Sequence, residues 1–122
     1  MKARSRRELF ARAAEGMFTL VTDLEGVRCR EKVRVSVQAP DRVALLQAWL
    51  GELNFRHVTR HLLFCRFDIR RLEDTRLEAV AGGERIDPGR HAVYTEIKAV
   101  TFHGLTIERK GRGWEAQIIF DL

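Results

Sequence analysis

The chain has 122 residues, of which 45% are hydrophobic, with a net charge of +5 and a pI of about 9.9. This length suits one domain with its own hydrophobic core rather than two domains. No run approaches the roughly 18 consecutive apolar residues that a membrane-spanning helix needs. The basic excess favours acidic partners such as RNA, nucleotides or an acidic protein surface, although an arginine-rich proteome explains it equally well.

The cysteines and the N-terminus point to a reducing, cytoplasmic location. Cys29 and Cys65 lie far apart without metal-type spacing, and Cys65 sits in an apolar run that is typical of a buried thiol. The basic start is followed by an amphipathic helix rather than by the apolar region of a signal peptide. We therefore expect an intracellular protein.

Two amphipathic helices are predicted. Ser5 and Glu8 have the spacing of a capping box, and apolar residues recur every three to four positions from near residue 6 to residue 22. Asp41 is placed to cap a second helix that ends near His57.

Apolar and polar residues alternate at 33–37, at 63–69 and around 77–81, which predicts strands. Gly82-Gly83 and residues 87–89 are predicted turns. The order of elements predicts a single α+β domain over residues 1–122, a two-layer sandwich with two helices packed on a mainly antiparallel or mixed sheet.

The last thirty residues predict a β-hairpin closed through residues 110–113. The implied register pairs Arg109 with Trp114 and His103 with Phe120. Because side chains alternate along a strand, His103 then lies on the core face, which favours a hydrogen-bonded core histidine over the alternative, a catalytic one.

Asp121 falls on the other face of the hairpin, opposite Phe102, on the face that also carries Lys98. In this register Lys98 lies about 13 Å along the strand from the residue that faces Asp121, at about 3.3 Å per residue. The Asp121 side chain and the terminal carboxylate of Leu122 put hard oxygens at one point, which Ca²⁺ or Mg²⁺ accepts. Two such groups are too few for a full coordination shell, and a chain-end aspartate that meets solvent is the alternative.

Motifs for autonomous catalysis are lacking. There is no Gly-x-Ser-x-Gly elbow and no phosphate-binding loop. His57 and His61 have no further zinc ligands at a recognised spacing, so we interpret them as a solvated loop pair, and His91 follows a turn and is predicted to be exposed.

Basic residues follow two predicted strands with the period of one strand face. They are Arg28, Arg30, Lys32 and Arg34 on one strand, and Arg66 and Arg70 on the other. Such stripes suit phosphate contact, but the aromatic residues that would stack on bases fall mostly on apolar faces. A solvated strand face explains the stripes as well.

Four ordered motifs resemble the archease family, in register from about residue 8 to the end. Residues 10–18 (FARAAEGMF) resemble its first helix and residues 49–53 (WLGEL) its second. Residues 95–103 (TEIKAVTFH) are similar to its most distinctive motif, and residues 113–122 (GWEAQIIFDL) to its C-terminal strand.

The resemblance implies a non-catalytic protein cofactor. Archeases activate the RtcB-type RNA ligase of tRNA splicing and RNA repair by promoting its guanylylation and its multiple turnover. The ligase itself supplies the GTP and Mn²⁺ chemistry. The alternative function is a basic RNA-binding or chaperone-like module that acts on RNA or on RNA-processing enzymes.

The resemblance also assigns residues. Family members hold a divalent metal, usually calcium, through an aspartate of an N-terminal strand, the C-terminal aspartate and the residue after it; the latter two correspond to Asp121 and Leu122. Lys98 and His103 occupy the family's lysine and histidine, and Glu52 matches an acid of the second helix.

The resemblance fails at the N-terminus. Archeases open with a strand that reads roughly Asp-His-Thr-Ala-Asp and supplies the first metal ligand, and no such stretch precedes Ser5. Either the start is placed too far downstream or this member has lost the strand, and in both cases the first helix is expected to be undocked. Loss of the strand predicts a gap or exposed edge in the sheet and an incomplete metal site.

Overall fold

Capping side chains define where both helices begin. In the computed structural model, which describes the backbone of residues 1–122 and every side chain except that of Phe102, the Ser5 hydroxyl accepts a hydrogen bond from the Glu8 amide at 3.1 Å. The Asp41 carboxylate accepts one from the Ala44 amide at 2.8 Å. Each cap satisfies an amide that has no partner within its own helix, so the predicted starts of both helices are confirmed.

The helices are α1 (Arg6–Val21) and α2 (Arg42–Arg60). The strands are β1 (Lys2–Ala3), β2 (Glu31–Gln38), β3 (Leu62–Leu72), β4 (Arg76–Arg85), β5 (Ala99–Lys110) and β6 (Gly113–Asp121). Helix α2 continues beyond the predicted end and stops at His61, which adopts the left-handed conformation with φ of 55°.

The strands form two antiparallel sheets of three strands each. Their orders are β1-β6-β5 and β2-β4-β3. Both helices contact strands of both sheets, and one apolar core joins all the layers, with Trp49 fully buried within it. The α+β class is therefore confirmed, and the strands are divided between two sheets.

Two predictions, one about a turn and one about the start of the first helix, are wrong. Gly82 and Gly83 lie inside β4 rather than in a turn. Glycine is needed at position 83 because a β-carbon there would stand 2.0 Å from the carbonyl oxygen of Leu63 on the neighbouring strand. Helix α1 is also docked at its start, because Lys2 and Ala3 pair with Glu115 and Trp114 of β6.

The cysteines are paired rather than free. Cys29 and Cys65 form a disulfide with their α-carbons 6.1 Å apart, within the usual range for such bonds. The prediction of a buried Cys65 thiol is wrong. Spacing along the chain does not show that β2, which follows Cys29, and β3, which contains Cys65, both pair with β4.

In the part of the chain that the structure describes, no helix is both long enough and apolar enough to cross a membrane.

Candidate functional site

The C-terminal hairpin of β5 and β6 contains a β-bulge, which gives the predicted site residues other partners than the predicted register did. The predicted register is confirmed near the turn, where Arg109 faces Trp114. Beyond it, residues 102–105 of β5 lie opposite the single residue Ile118, because Thr101 pairs with Ile119 and Thr106 with Gln117. Gly104 within this bulge has a φ of 79°, a conformation that glycine adopts at low cost.

The bulge corrects the predicted partners of His103 and Asp121. His103 does not face Phe120, which pairs with Val100 instead, and its side chain is exposed rather than in the core. Asp121 faces Ala99 rather than Phe102. The side chain of Phe102 itself lies outside the described residues.

Lys98 comes to the end of the C-terminal strand. Its amide donates a hydrogen bond to the carbonyl oxygen of Asp121 at 2.7 Å, so the predicted separation of about 13 Å along the strand is wrong. The side chains of Lys98, Asp121 and Leu122 are all exposed. The structure therefore brings Lys98 beside Asp121 and Leu122, from which the predicted register kept it apart.

The segment before β5 is held in place by α2. The side-chain amide of the buried Asn54 donates to the carbonyl oxygen of Ile97 at 2.7 Å, and that of Gln47 donates to Val100 at 3.1 Å. These bonds give Lys98 a defined backbone position, although residues 94–98 lie outside any regular strand.

A groove of about 340 Å³ runs between α2 and residues 96–100. Its walls include Lys98 and two apolar side chains of α2, Phe55, which is 59% exposed, and Val58, which is 40% exposed. An apolar surface of this kind beside a charged one is typical of a protein–protein contact.

Glu52 stands apart from this group. Its carboxylate pairs with Arg56 at 3.0 Å, and Arg56 in turn donates to the carbonyl oxygen of Arg34 on β2. Glu52 therefore belongs to the side of α2 that faces β2, and it does not line the groove beside Lys98.

The oxygens at the chain end do not fill a calcium shell. Ca²⁺ takes about six to eight oxygen ligands, whereas Asp121 and Leu122 offer two carboxylates, and the carbonyl of Asp121 already accepts from Lys98. Among the described residues, no three His, Cys, Asp or Glu side chains gather closely enough to hold a metal. Strand β1 adds no ligand, because it pairs with the opposite end of β6.

A buried carboxylate elsewhere was missed by the sequence patterns. Glu84 is 6% exposed and accepts hydrogen bonds from the Arg28 amide at 2.5 Å, from His91 at 3.1 Å and from Arg90. Burial disfavours the charged form of Glu84, yet these bonds outweigh it and lower its pKa from 4.5 to about 2. His91 also accepts from the Asp87 amide at 2.9 Å, so the ring nitrogen facing Glu84 carries the proton.

Two histidine predictions are therefore wrong. His91 is buried rather than exposed, and it ties the loop after β4 to Glu84. His57 is buried too, with its ring 2.7 Å from the carbonyl oxygen of Leu62 and edge-on to Phe18, because α2 extends past it. Only His61 of the predicted pair is exposed.

Comparison with known proteins shows the family to which this chain belongs. The chain matches the Archease protein family (MTH1598/TM1083) over residues 1–122. It belongs to the archease family. The protein archease of Methanopyrus kandleri is 40% identical over 118 residues, which cover 94% of this chain and 84% of that protein. The archease of Methanothermobacter thermautotrophicus is 39% identical with the same coverage.

Solved structures agree with this archease fold. The solution structure of Methanobacterium thermoautotrophicum protein 1598 has a TM-score of 0.81 and 34% identity, covering 99% of this chain and 88% of that one. The crystal structure of a Thermotoga maritima archease, described as a possible chaperone, has a TM-score of 0.67 and 18% identity, covering 100% and 87%. The second likeness concerns the fold alone.

Proposed function

We propose that this archease-family chain is a non-catalytic protein cofactor of an RtcB-type RNA ligase in tRNA splicing and RNA repair. The observation that carries the proposal is the convergence of Lys98 with Asp121 and Leu122 at one exposed edge, in a chain that matches the family over residues 1–122. The ligase supplies the GTP and Mn²⁺ chemistry, and this chain acts by contact.

The shape of this edge favours contact over catalysis. Lys98, His103 and Asp121 are exposed on the surface rather than enclosed in a cleft, and enzymes usually surround their reacting groups. A charged edge beside the apolar groove of Phe55 and Val58 offers both orientation and burial to a protein partner.

Asp121 and Leu122 are the ligands that this chain contributes towards a divalent metal, most readily calcium. Their carboxylate oxygens have the right chemistry, but two groups leave most of the shell unfilled. Donors from water or from the bound partner would have to complete it, so no step of the activation is assigned to the metal.

The test measures transfer of GMP from radiolabelled GTP to the ligase, with and without this chain. We expect the chain to increase the rate of guanylylation, and Asp121→Asn and Lys98→Gln to reduce the increase at least tenfold. Glu108→Gln is the matched control, because Glu108 is another exposed carboxylate, near the far end of the same hairpin. Equal activity of the Asp121 and Glu108 variants would contradict the assignment of the site, and no increase by the unaltered chain would contradict the function.

A further inference from the structure

The two basic stripes meet on one face of a single sheet. Strand β4 lies between β2 and β3, and its Gly82 is the register partner of both Lys32 and Arg66. One step along, Arg34 of β2 pairs with Val80 of β4. Because partners in register point to the same side of a sheet, segments more than thirty residues apart present their basic side chains together. We call this outer side of β2-β4-β3 the basic face.

The basic face is exposed and shaped like a trough. Its middle strand carries the half-buried Val80, while Lys32 and Arg34 lie on one neighbouring strand and Arg66 and Arg70 on the other. Gly82 is buried, and a β-carbon built there would stand 3.5 Å from the β-carbon of Cys29, so the trough is open at Val80. With strands about 4.8 Å apart, the two basic rows stand about 10 Å from one another. A cavity of about 610 Å³ opens on this face and is lined partly by Arg34, Arg56 and Arg70, the last from the opposite row.

The charges on the face are unbalanced. The basic residues that it carries are Lys32, Arg34, Arg66, Arg70, Arg71 and Arg76, against the carboxylates of Asp68 and Glu78. Asp68 pairs with Arg70 and Glu78 with Arg76, each at 2.8 Å, and Glu73, just beyond β3, pairs with Arg71 at 2.9 Å. In the described part of the chain, Lys32, Arg34 and Arg66 have no carboxylate partner, so their charge is available to an anion.

The form of the face selects among anions. Basic side chains on both walls of an open trough match an extended chain of phosphates better than one small anion. None of the described aromatic rings lies on this face, which leaves no platform for base stacking and so favours backbone contact without sequence preference. The trough also lies on a different sheet from Lys98 and Asp121, whose hairpin belongs to the sheet β1-β6-β5.

We infer that the basic face binds the phosphate backbone of single-stranded RNA. The choice of RNA rests on the proposed function, since RNA is the substrate of the ligase that this chain is proposed to activate. The chain would then hold a broken RNA strand on one sheet while it contacts the ligase through the hairpin of the other.

The test titrates the unaltered chain into a fluorescein-labelled 20-nucleotide RNA of mixed sequence and follows the anisotropy at several salt concentrations, without ligase. The double variant Arg34→Gln/Arg66→Gln removes two cations from the trough. Its matched control, Arg7→Gln/Arg60→Gln, removes two exposed cations from the helices and gives the same net charge. Circular dichroism checks that both variants are folded.

We expect the trough variant to bind at least tenfold more weakly than the control. The slope of log affinity against log salt should fall by about 1.4, or about 0.7 for each lost phosphate contact on a single strand. Single-stranded DNA of the same sequence should bind about as well, because the inference rests on phosphate contacts alone, whereas the RNA duplex should bind more weakly than the single-stranded RNA. Equal losses in both variants would show attraction by net charge alone and overturn the inference, as would absent binding or a preference for duplex.

The two proposals can fail separately. RNA binding is measured without ligase, so the two assays are independent. If the unaltered chain binds RNA and stimulates the ligase, and the Asp121 variant loses only the stimulation, both proposals are supported. If the trough variant loses RNA affinity while guanylylation by the unaltered chain shows no stimulation, only the activator role fails. If the unaltered chain stimulates guanylylation but does not bind RNA, only the inference about the basic face fails.

Discussion

Replacing Glu84 by glutamine tests how the loop between β4 and β5 is held. The carboxylate accepts from Arg28, Arg90 and His91, whereas glutamine is neutral and offers only one acceptor oxygen. A pKa lowered from 4.5 to about 2 corresponds to about 3 kcal/mol of stability, at roughly 1.4 kcal/mol per pKa unit.

The sign of the pH dependence follows from the lowered pKa. A carboxylate with a folded-state pKa below its unfolded value stabilises the protein fully above the unfolded pKa of 4.5 and loses that effect as the pH falls to about 2. The cost of Glu84→Gln should therefore be about 3 kcal/mol at pH 7 and about 1 kcal/mol at pH 3. At pH 7 this corresponds to a melting temperature lower by about 12 °C for a chain of this size.

Urea unfolding followed by tryptophan fluorescence measures both values, because Trp49 is fully buried. The exposed Glu108→Gln should change the free energy of unfolding by less than about 0.5 kcal/mol at either pH. A cost for Glu84→Gln below about 1 kcal/mol at pH 7, or one that does not shrink at pH 3, would refute the reasoning about this network.

Four further changes test other parts of the structure. Gly83→Ala should abolish or severely impair folding because of its clash with a β3 carbonyl, whereas Gly51→Ala, with open space around it in α2, should gain about 0.5–1 kcal/mol in urea unfolding. Asn54→Leu leaves a buried carbonyl unpaired and should cost about 1–3 kcal/mol in the same assay; an unchanged midpoint would contradict this role. Without reductant, alkylation of the denatured chain should label neither Cys29 nor Cys65, and reduction should cost about 3–4 kcal/mol for this loop length; labelling of both before reduction would contradict the disulfide.

Local signals predicted the local structure well. Ser5 and Asp41 marked both helix starts because a capping side chain acts within one turn of its own position. The hairpin register near the turn followed from the glycine-containing loop for the same reason. The archease-family motifs gave the family, and the order of elements gave the α+β class.

The positions of the candidate site residues depend on features that the alternation of apolar and polar residues along a strand does not reveal. The bulge at residues 102–105 shifts the register by several residues and brings Lys98 to Asp121, and Gly104 was its only local sign. His57 and His91 were misjudged because their burial depends on packing against distant segments. The pairing of both basic stripes with β4 was likewise hidden, since strand order is a long-range property of the chain.

The most direct test of the account is multiple-turnover RNA ligation by the cognate ligase, counted as joined product per ligase molecule with GTP and Mn²⁺. With the unaltered chain or with Glu108→Gln, we expect many products per ligase, and with Asp121→Asn about as few as without the chain. If the Asp121 variant sustains turnover as well as the unaltered chain does, or if the unaltered chain adds no turnover, the proposed role of the C-terminal edge is wrong.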